Sequence, residues 1–214
     1  EQAEQLAEET ERAGIKAIAL QADVQREAEI HGMMAEVRAQ FGRLDILVNN
    51  AGVTQWIKLP DLDGLTDAVW DEILDVNVKG AFRCVRAAAS LIAEARGMVI
   101  NVSSISGVLA PSTFSSLAYG TAKAALIYLT KGLAVALAPE IRVNCVAPAF
   151  TDTPWMREHF GADYQETIEK ASTAFPLRRI ADPEDIARAI LGLVTGGDFV
   201  TGQTLVVDGG LSLS

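Results

Sequence analysis

Tyr119 and Lys123 stand four residues apart in the stretch YGTAK. On a helix that spacing puts both side chains on one face, one turn apart. A free phenol ionises near pH ~10 and is a poor acid or base at neutral pH. A neighbouring ammonium favours the phenolate, and lowering the phenol by about three units takes roughly 4 kcal/mol of differential stabilisation. Tyr with Lys is therefore a workable proton-transfer pair. The spacing alone is common by chance, so its surroundings decide.

Three apolar runs end in small, polar, turn-forming residues. The run Met98–Val102 leads into Ser103-Ser104-Ile105-Ser106-Gly107, and Ser104 stands fifteen residues before Tyr119. The run at 44–48 (LDILV) ends in Asn49-Asn50-Ala51-Gly52, and the run at 141–146 (IRVNCV) in Ala147-Pro148 and then Thr151-Asp152-Thr153. If these runs are parallel strands, all three ends meet at the carboxyl edge of one sheet, where open α/β sheets hold their ligands.

The rest of the pattern supplies such a sheet. Residues 1–13 form an amphipathic helix stopped by Gly14, 16–22 (KAIALQA) a strand ending at Asp23-Val24, and 26–41 a helix stopped by Gly42. A loop over 53–65 leads to Thr66, the N-cap of one helix running to about Ala95, and a helix from Tyr119 to Ala138 follows the serine loop. Residues 149–181 are irregular with some helix; Asp182-Pro183-Glu184-Asp185 opens another, and Thr204–Val207 is the last strand before an Asp208-Gly209-Gly210 turn. Strands alternating with helices predict a doubly wound, Rossmann-like α/β fold with a parallel sheet, and no repeat or linker divides residues 1–214.

Composition narrows the function. Half of the 214 residues are hydrophobic and 21% are charged, enough to fill a core. With 18 Lys and Arg against 28 Asp and Glu the net charge is -10, which disfavours nucleic-acid binding. Cys84 and Cys145 form no metal or disulfide pattern and suit the reducing cytosol as buried thiols. His31 and His159 belong to no triad or zinc signature, so no metal is expected. The acidic N-terminal stretch is unlike a signal peptide, and no apolar run of about 18 residues could span a membrane.

Taken together, NNAG at 49–52, Asn77 in NVKG, SSISG at 103–107, YGTAK at 119–123, RVN at 142–144, APAFTDT at 147–153 and VTGQTLVVDGG at 200–210 resemble the short-chain dehydrogenase/reductases in their single-domain form, and among them the 3-oxoacyl-[acyl-carrier-protein] reductases. The resemblance implies an NAD- or NADP-dependent oxidoreductase that interconverts a small-molecule carbonyl and a secondary alcohol. By that resemblance Tyr119 is the general acid/base, Lys123 lowers its pKa and holds the nicotinamide ribose, Ser104 donates to the substrate oxygen, and Asn77 holds a relay water. Asp23 and Val24 would contact the adenine, Asn50, Ala51 and Gly52 the adenosine ribose, and Thr151 and Thr153 the carboxamide. Members commonly form homotetramers or homodimers through the two long helices.

The sequence departs from the family pattern in two places. No TGxxxGxG turn precedes Glu1, so the first βαβ portion, roughly 40 residues, is expected to be missing from the chain as given, leaving an unpaired sheet edge and a hole in the core. That absence leaves a second reading open, a cofactor-free fragment or assembly subunit that keeps the scaffold. Ala149 stands where the family has Gly, which requires a negative φ there. Trp155, Met156, Phe160 and Tyr164 fit pocket or lid residues and fit helix-core packing equally well.

Overall fold

A computed structural model describes residues 2–110 and 116–213. Four parallel strands, β1 (Ile46–Asn49), β2 (Met98–Val102), β3 (Arg142–Pro148) and β4 (Thr204–Val207), pair in that order. β2 alternates between two cores. Its Val99 packs with Val143 of β3 against α2 (Glu27–Phe41), α4 (Ala81–Glu94) and α5 (Leu117–Ala136), through Met34, Ile92 and Leu133. Its Met98 and Ile100 turn the other way, onto Ile186 of α8 (Pro183–Thr195). The strands are apolar on both sides because helices cover both faces, the doubly wound arrangement expected from the sequence.

The helix ends follow their chemistry. Gly42 closes α2 in the left-handed conformation at φ 72°, and α1 (Gln2–Arg12) gives way at Gly14, φ 82°. Asp182 and Asp185 form a reciprocal capping box at the start of α8, with Pro183 in the first turn. α5 begins two residues earlier than the pattern predicted, because Ser116 and not Tyr119 is its cap: the Ser116 hydroxyl accepts from the Tyr119 amide at 3.3 Å.

Two expectations are corrected. Residues 16–22 are not a strand: among the described residues no strand pairs with them, and Ile15 and Leu20 are exposed. A strand needs a partner for its backbone groups, and β1 instead faces a cleft of about 300 Å³ lined by Val24, Met33, Leu47 and Val48. β1 is thus an unpaired edge with Ile46 and Val48 about two-fifths exposed. The long helix over 66–95 is also not continuous. α3 (Asp67–Leu74) widens into a π-helical turn over Asp75–Gly80 before α4 resumes. The Asn77 amide nitrogen donates to the Ile73 carbonyl at 2.8 Å, and Asp75 is held by Arg83 at 2.9 Å, contacts that stabilise the widened turn.

Gly107 sets how closely the serine loop approaches α5. A Cβ there would lie 2.5 Å from the Lys123 carbonyl carbon and 2.6 Å from the Ala124 nitrogen, both backbone atoms that cannot move aside. Gly107→Ala is expected to destabilise the fold by about 2–4 kcal/mol, read as a lower urea midpoint with an unchanged slope; a midpoint equal to that of the parent chain would contradict this packing.

Candidate active site

The carboxyl ends of β1, β2 and β3 open into a cleft of about 820 Å³. α5 brings Tyr119 in its first turn and Lys123 one turn later to the floor of that cleft. The loop after β2 is fastened to the same helix, because the Ser103 hydroxyl donates to the Lys123 carbonyl at 2.7 Å. This bond consumes Ser103 and turns its neighbour outward. The Ser104 hydroxyl accepts from the Ser106 amide at 3.1 Å, and Ser104 lines the cleft beside the Tyr119 phenol, whose ionisation it favours. Ser104, the serine favoured from the sequence, is the one that meets Tyr119.

Lys123 is 4% exposed, and its ammonium donates to the Val102 carbonyl at 2.9 Å, 5.5 Å from the centre of the Tyr119 ring. Burial lowers its pKa to about 8. The expected lowering of the tyrosine is not found. Burial pushes the phenol up to about 12, against a smaller lowering by the Ser104 hydrogen bond. In this structure the tyrosine is held neutral, a donor rather than a base.

Asn77 is fully buried at the π-helical turn, where the sequence alone would allow a solvated helix face. Its amide donates to the Val53 and Ile73 carbonyls at 2.9 and 2.8 Å, which fixes the orientation of the group. Its carbonyl oxygen is then a buried acceptor with no hydrogen-bond partner among the described residues. That oxygen and the Lys123 ammonium both crowd Gly52: a Cβ there would stand 2.7 Å from Asn77 Oδ1 and 3.4 Å from Lys123 Nζ. Only a glycine lets the loop after β1 lie so close.

The residues expected to hold a cofactor lie along two adjoining clefts. Asn50 lines both. Val24 and Ala51 line the smaller cleft, and Gly52, Thr151 and Thr153 the larger. Asp23 and Val24 are fixed by backbone contacts: the Asp23 amide donates to Glu29 at 2.8 Å and the Val24 carbonyl accepts from Arg83 at 3.3 Å. The Asp23 carboxylate accepts from the Gln25 amide at 2.9 Å and does not line either cleft. Ala149 is outside the positive-φ residues, so it meets the condition its departure from the pattern imposed. The orphaned Asn77 acceptor, the glycine-lined path at Gly52 and the buried ammonium suit an extended ligand carrying ribose hydroxyls.

One wall of the larger cleft was less legible. α6 (Pro154–Phe160), capped by Thr153 with Pro154 in the first turn, carries Trp155 and Met156 to it, and Trp56 reaches it from the loop after β1. Trp155 lies 5.5 Å from Trp56 and 6.4 Å from Tyr119, centre to centre. His159 stacks on Trp56 at 3.8 Å, and the loss of water around it lowers the imidazole pKa. Trp56 had no signal in the sequence beyond its size, since it stands in a loop without period. Phe160 packs on Trp56 from α6, while Tyr164 of α7 (Tyr164–Ala174) turns away to hydrogen-bond Asp152. Asp152 is also gripped bidentately by Arg157, at 2.7 and 2.6 Å. The expected lid is therefore two short helices tied to one aspartate.

Among the described residues no group of His, Cys, Asp and Glu is placed to hold a metal, and no helix is long and apolar enough to cross a membrane.

A family model described as enoyl-(acyl carrier protein) reductase matches residues 1–212. The chain is 40% identical over 208 residues to a Streptomyces violaceoruber protein assigned as ketoacyl reductase 2 of the granaticin polyketide synthase, covering 96% of this chain and 81% of that one. A solved structure from Burkholderia xenovorans described as a short-chain dehydrogenase/reductase superposes with a TM-score of 0.89 at 29% identity, over 99% of this chain and 82% of the other. ElxO, solved with NADP bound, superposes at 0.81 with 30% identity, over 91% of this chain and 77% of its own. The fold and the matches define a Rossmann-like, nicotinamide-dependent oxidoreductase. The chain belongs to the short-chain dehydrogenase/reductase family and is similar to its ketoacyl reductases.

The two buried groups titrate in opposite directions, so the ammonium is lost as pH rises through about 8 while the phenol keeps its proton to about 12. A titration of the Lys123 side chain by NMR, with carbon-labelled lysine and Lys123→Arg for assignment, is expected to give a midpoint near 8; a midpoint at the ordinary lysine value of ~10.4 would show that the ammonium is not desolvated as described.

Proposed function

We propose that the chain is one dinucleotide-binding and catalytic domain that interconverts a carbonyl and a secondary alcohol, with Tyr119 as its general acid/base. The observation that carries this is the convergence of Ser104 and Tyr119 at the floor of the cleft, with the Lys123 ammonium buried behind them on the Val102 carbonyl.

In reduction, Ser104 and Tyr119 both donate to the substrate oxygen, which gains negative charge as the carbonyl is reduced. Tyr119 then gives that oxygen its proton; a phenol held neutral by burial is loaded for the step. Lys123 holds the nicotinamide ribose and lends positive charge beside the phenol as its proton leaves. Asn77, with its carbonyl oxygen unpartnered among the described residues, holds a relay water through which the proton is restored. Val24 and the backbone at Asp23 border the adenine, Asn50, Ala51 and Gly52 border the adenosine ribose, and Thr151 and Thr153 meet the carboxamide. When bound, the nicotinamide supplies or accepts the hydride.

The two thiols, Cys84 and Cys145, are free and buried, which suits a reducing cytosol. The outer faces of α4 and α5 and the last strand expose Phe82, Tyr128, Val135 and Leu205, a surface suited to self-association as a homodimer or homotetramer. Light scattering is expected to show such an assembly and Tyr128→Glu with Val135→Glu to reduce it to a smaller species; a monomer in the parent chain would refute this.

Tyr119→Phe is expected to lower kcat by about 100-fold or more while NADPH or NADH still raises the melting temperature. Retained turnover would remove Tyr119 from the reaction. Turnover lost together with cofactor stabilisation would mean that the substitution had broken the site, and Ser104→Ala then serves as the second test of the hydroxyl pair.

A further inference from the structure

The substrate class is written on the wall opposite the proton machinery. Starting from Tyr119, an aromatic surface runs outward through Trp155, 6.4 Å away, to Trp56, a further 5.5 Å, and ends where His159 stacks behind Trp56 at 3.8 Å and 11°. His159 and Phe160 brace Trp56 from α6, so its ring is fixed before any ligand arrives. Trp155 keeps 43% of its surface exposed although it lines the cleft, and no other ring covers that face among the described contacts. Ile105, Met156 and Ile190 are among the apolar residues that line the same cleft.

Charge is as telling as shape. Lys123 is the one charged residue lining the cleft among the described residues, and its ammonium is spent on the Val102 carbonyl beneath Tyr119. Arg157 on the same short helix is held by Asp152 and lies outside the lining. Loss of water around His159 lowers its imidazole pKa, which favours the uncharged ring. The stretch 103–118, which joins Ser104 to α5, contains no Lys, Arg, Asp or Glu. A carboxylate or phosphate entering here would give up water and meet no cation other than Lys123 among the described lining residues.

Resting on the oxidoreductase reading above, we propose that this site takes an uncharged, ring-bearing ketone or its alcohol, carbocyclic or aryl, with the ring packed on Trp155 and the carbonyl turned to Ser104 and Tyr119. A fixed aromatic face rewards a flat or compact ring. A flexible acyl chain would lose rotational freedom on the same surface and gain less contact for it.

The test measures kcat/KM with NADPH and with NADH for cyclohexanone and acetophenone, against 2-hexanone, 3-oxohexanoate and a short 3-oxoacyl thioester of N-acetylcysteamine. The ring ketones are expected to exceed 2-hexanone by about 10-fold, the worth of one good aromatic contact, with 3-oxohexanoate poorest. Trp155→Ala is expected to erase most of the ring-over-chain ratio and Trp155→Phe to restore it, with cofactor titration of each variant reporting an intact site. The parent ratio needs no variant, so a misfolded substitution leaves the test standing. Tyr119-dependent turnover in which the thioester, the open chain or the carboxylate equals or beats the rings would overturn this inference and leave the oxidoreductase reading intact. No Tyr119-dependent turnover of any carbonyl, with either nucleotide bound, would overturn both.

Discussion

Holding one ammonium in the interior is the constraint around which this site is built. A buried lysine survives only where its charge is partnered and its surroundings are rigid. Lys123 meets the Val102 carbonyl at the end of the central strand β2, its own carbonyl anchors Ser103, and the loop after β1 closes over it at a glycine. Each contact ties a different element to α5. The charge that chemistry needs near the phenol is therefore also the centre of a structural knot, and β1, β2 and α5 reach their positions by converging on it.

The π-helical turn is the other half of the same arrangement. A regular helix through Asp75–Gly80 would present its carbonyls to the next turn and leave Asn77 no reason to be buried. The widened turn brings Asn77 under the Val53 carbonyl, and its remaining oxygen finds no hydrogen-bond partner among the described residues. An unsatisfied buried acceptor is costly, and keeping one beside a buried cation only makes sense if something else meets both. Gly80, whose missing Cβ would clash with Val24 at 2.8 Å, links that turn to the segment beside the smaller cleft. One local departure from helical geometry thus reaches both ends of the ligand path.

Most of the scaffold, and the side chains that it gathers at one edge of the sheet, could be seen in the residues. The strand ends at Asn49–Gly52, Ser103–Gly107 and Ala147–Thr153 announced themselves because small and polar residues after apolar runs have few other uses. Helix caps at Thr66, Asp182 and Gly42 were legible because capping chemistry is local. Three things were not. Residues 16–22 have the composition of a strand, but strand formation depends on a partner that lies outside the segment itself. The π turn has no periodic signature, since one extra residue in a helix leaves the apolar spacing nearly unchanged. The direction of the tyrosine's shift was misjudged because spacing reveals the ammonium but not the depth of burial, and burial is the larger influence.

The wall that faces the substrate is mechanically separate from all of this. α6 is seven residues long, enters from the Thr153 cap, and is fastened on its far side through Asp152, which Arg157 and Tyr164 share. None of the residues that surround Lys123 belongs to it. The segment behaves as a cartridge, clipped in at its two ends and carrying Trp155, Met156 and His159 as its payload. On the substrate reading proposed above, exchanging that payload redirects which molecules are accepted without touching the contacts around Lys123, so new specificities on this scaffold are within reach of a few substitutions over 154–160, in natural lineages as much as in the hands of an engineer.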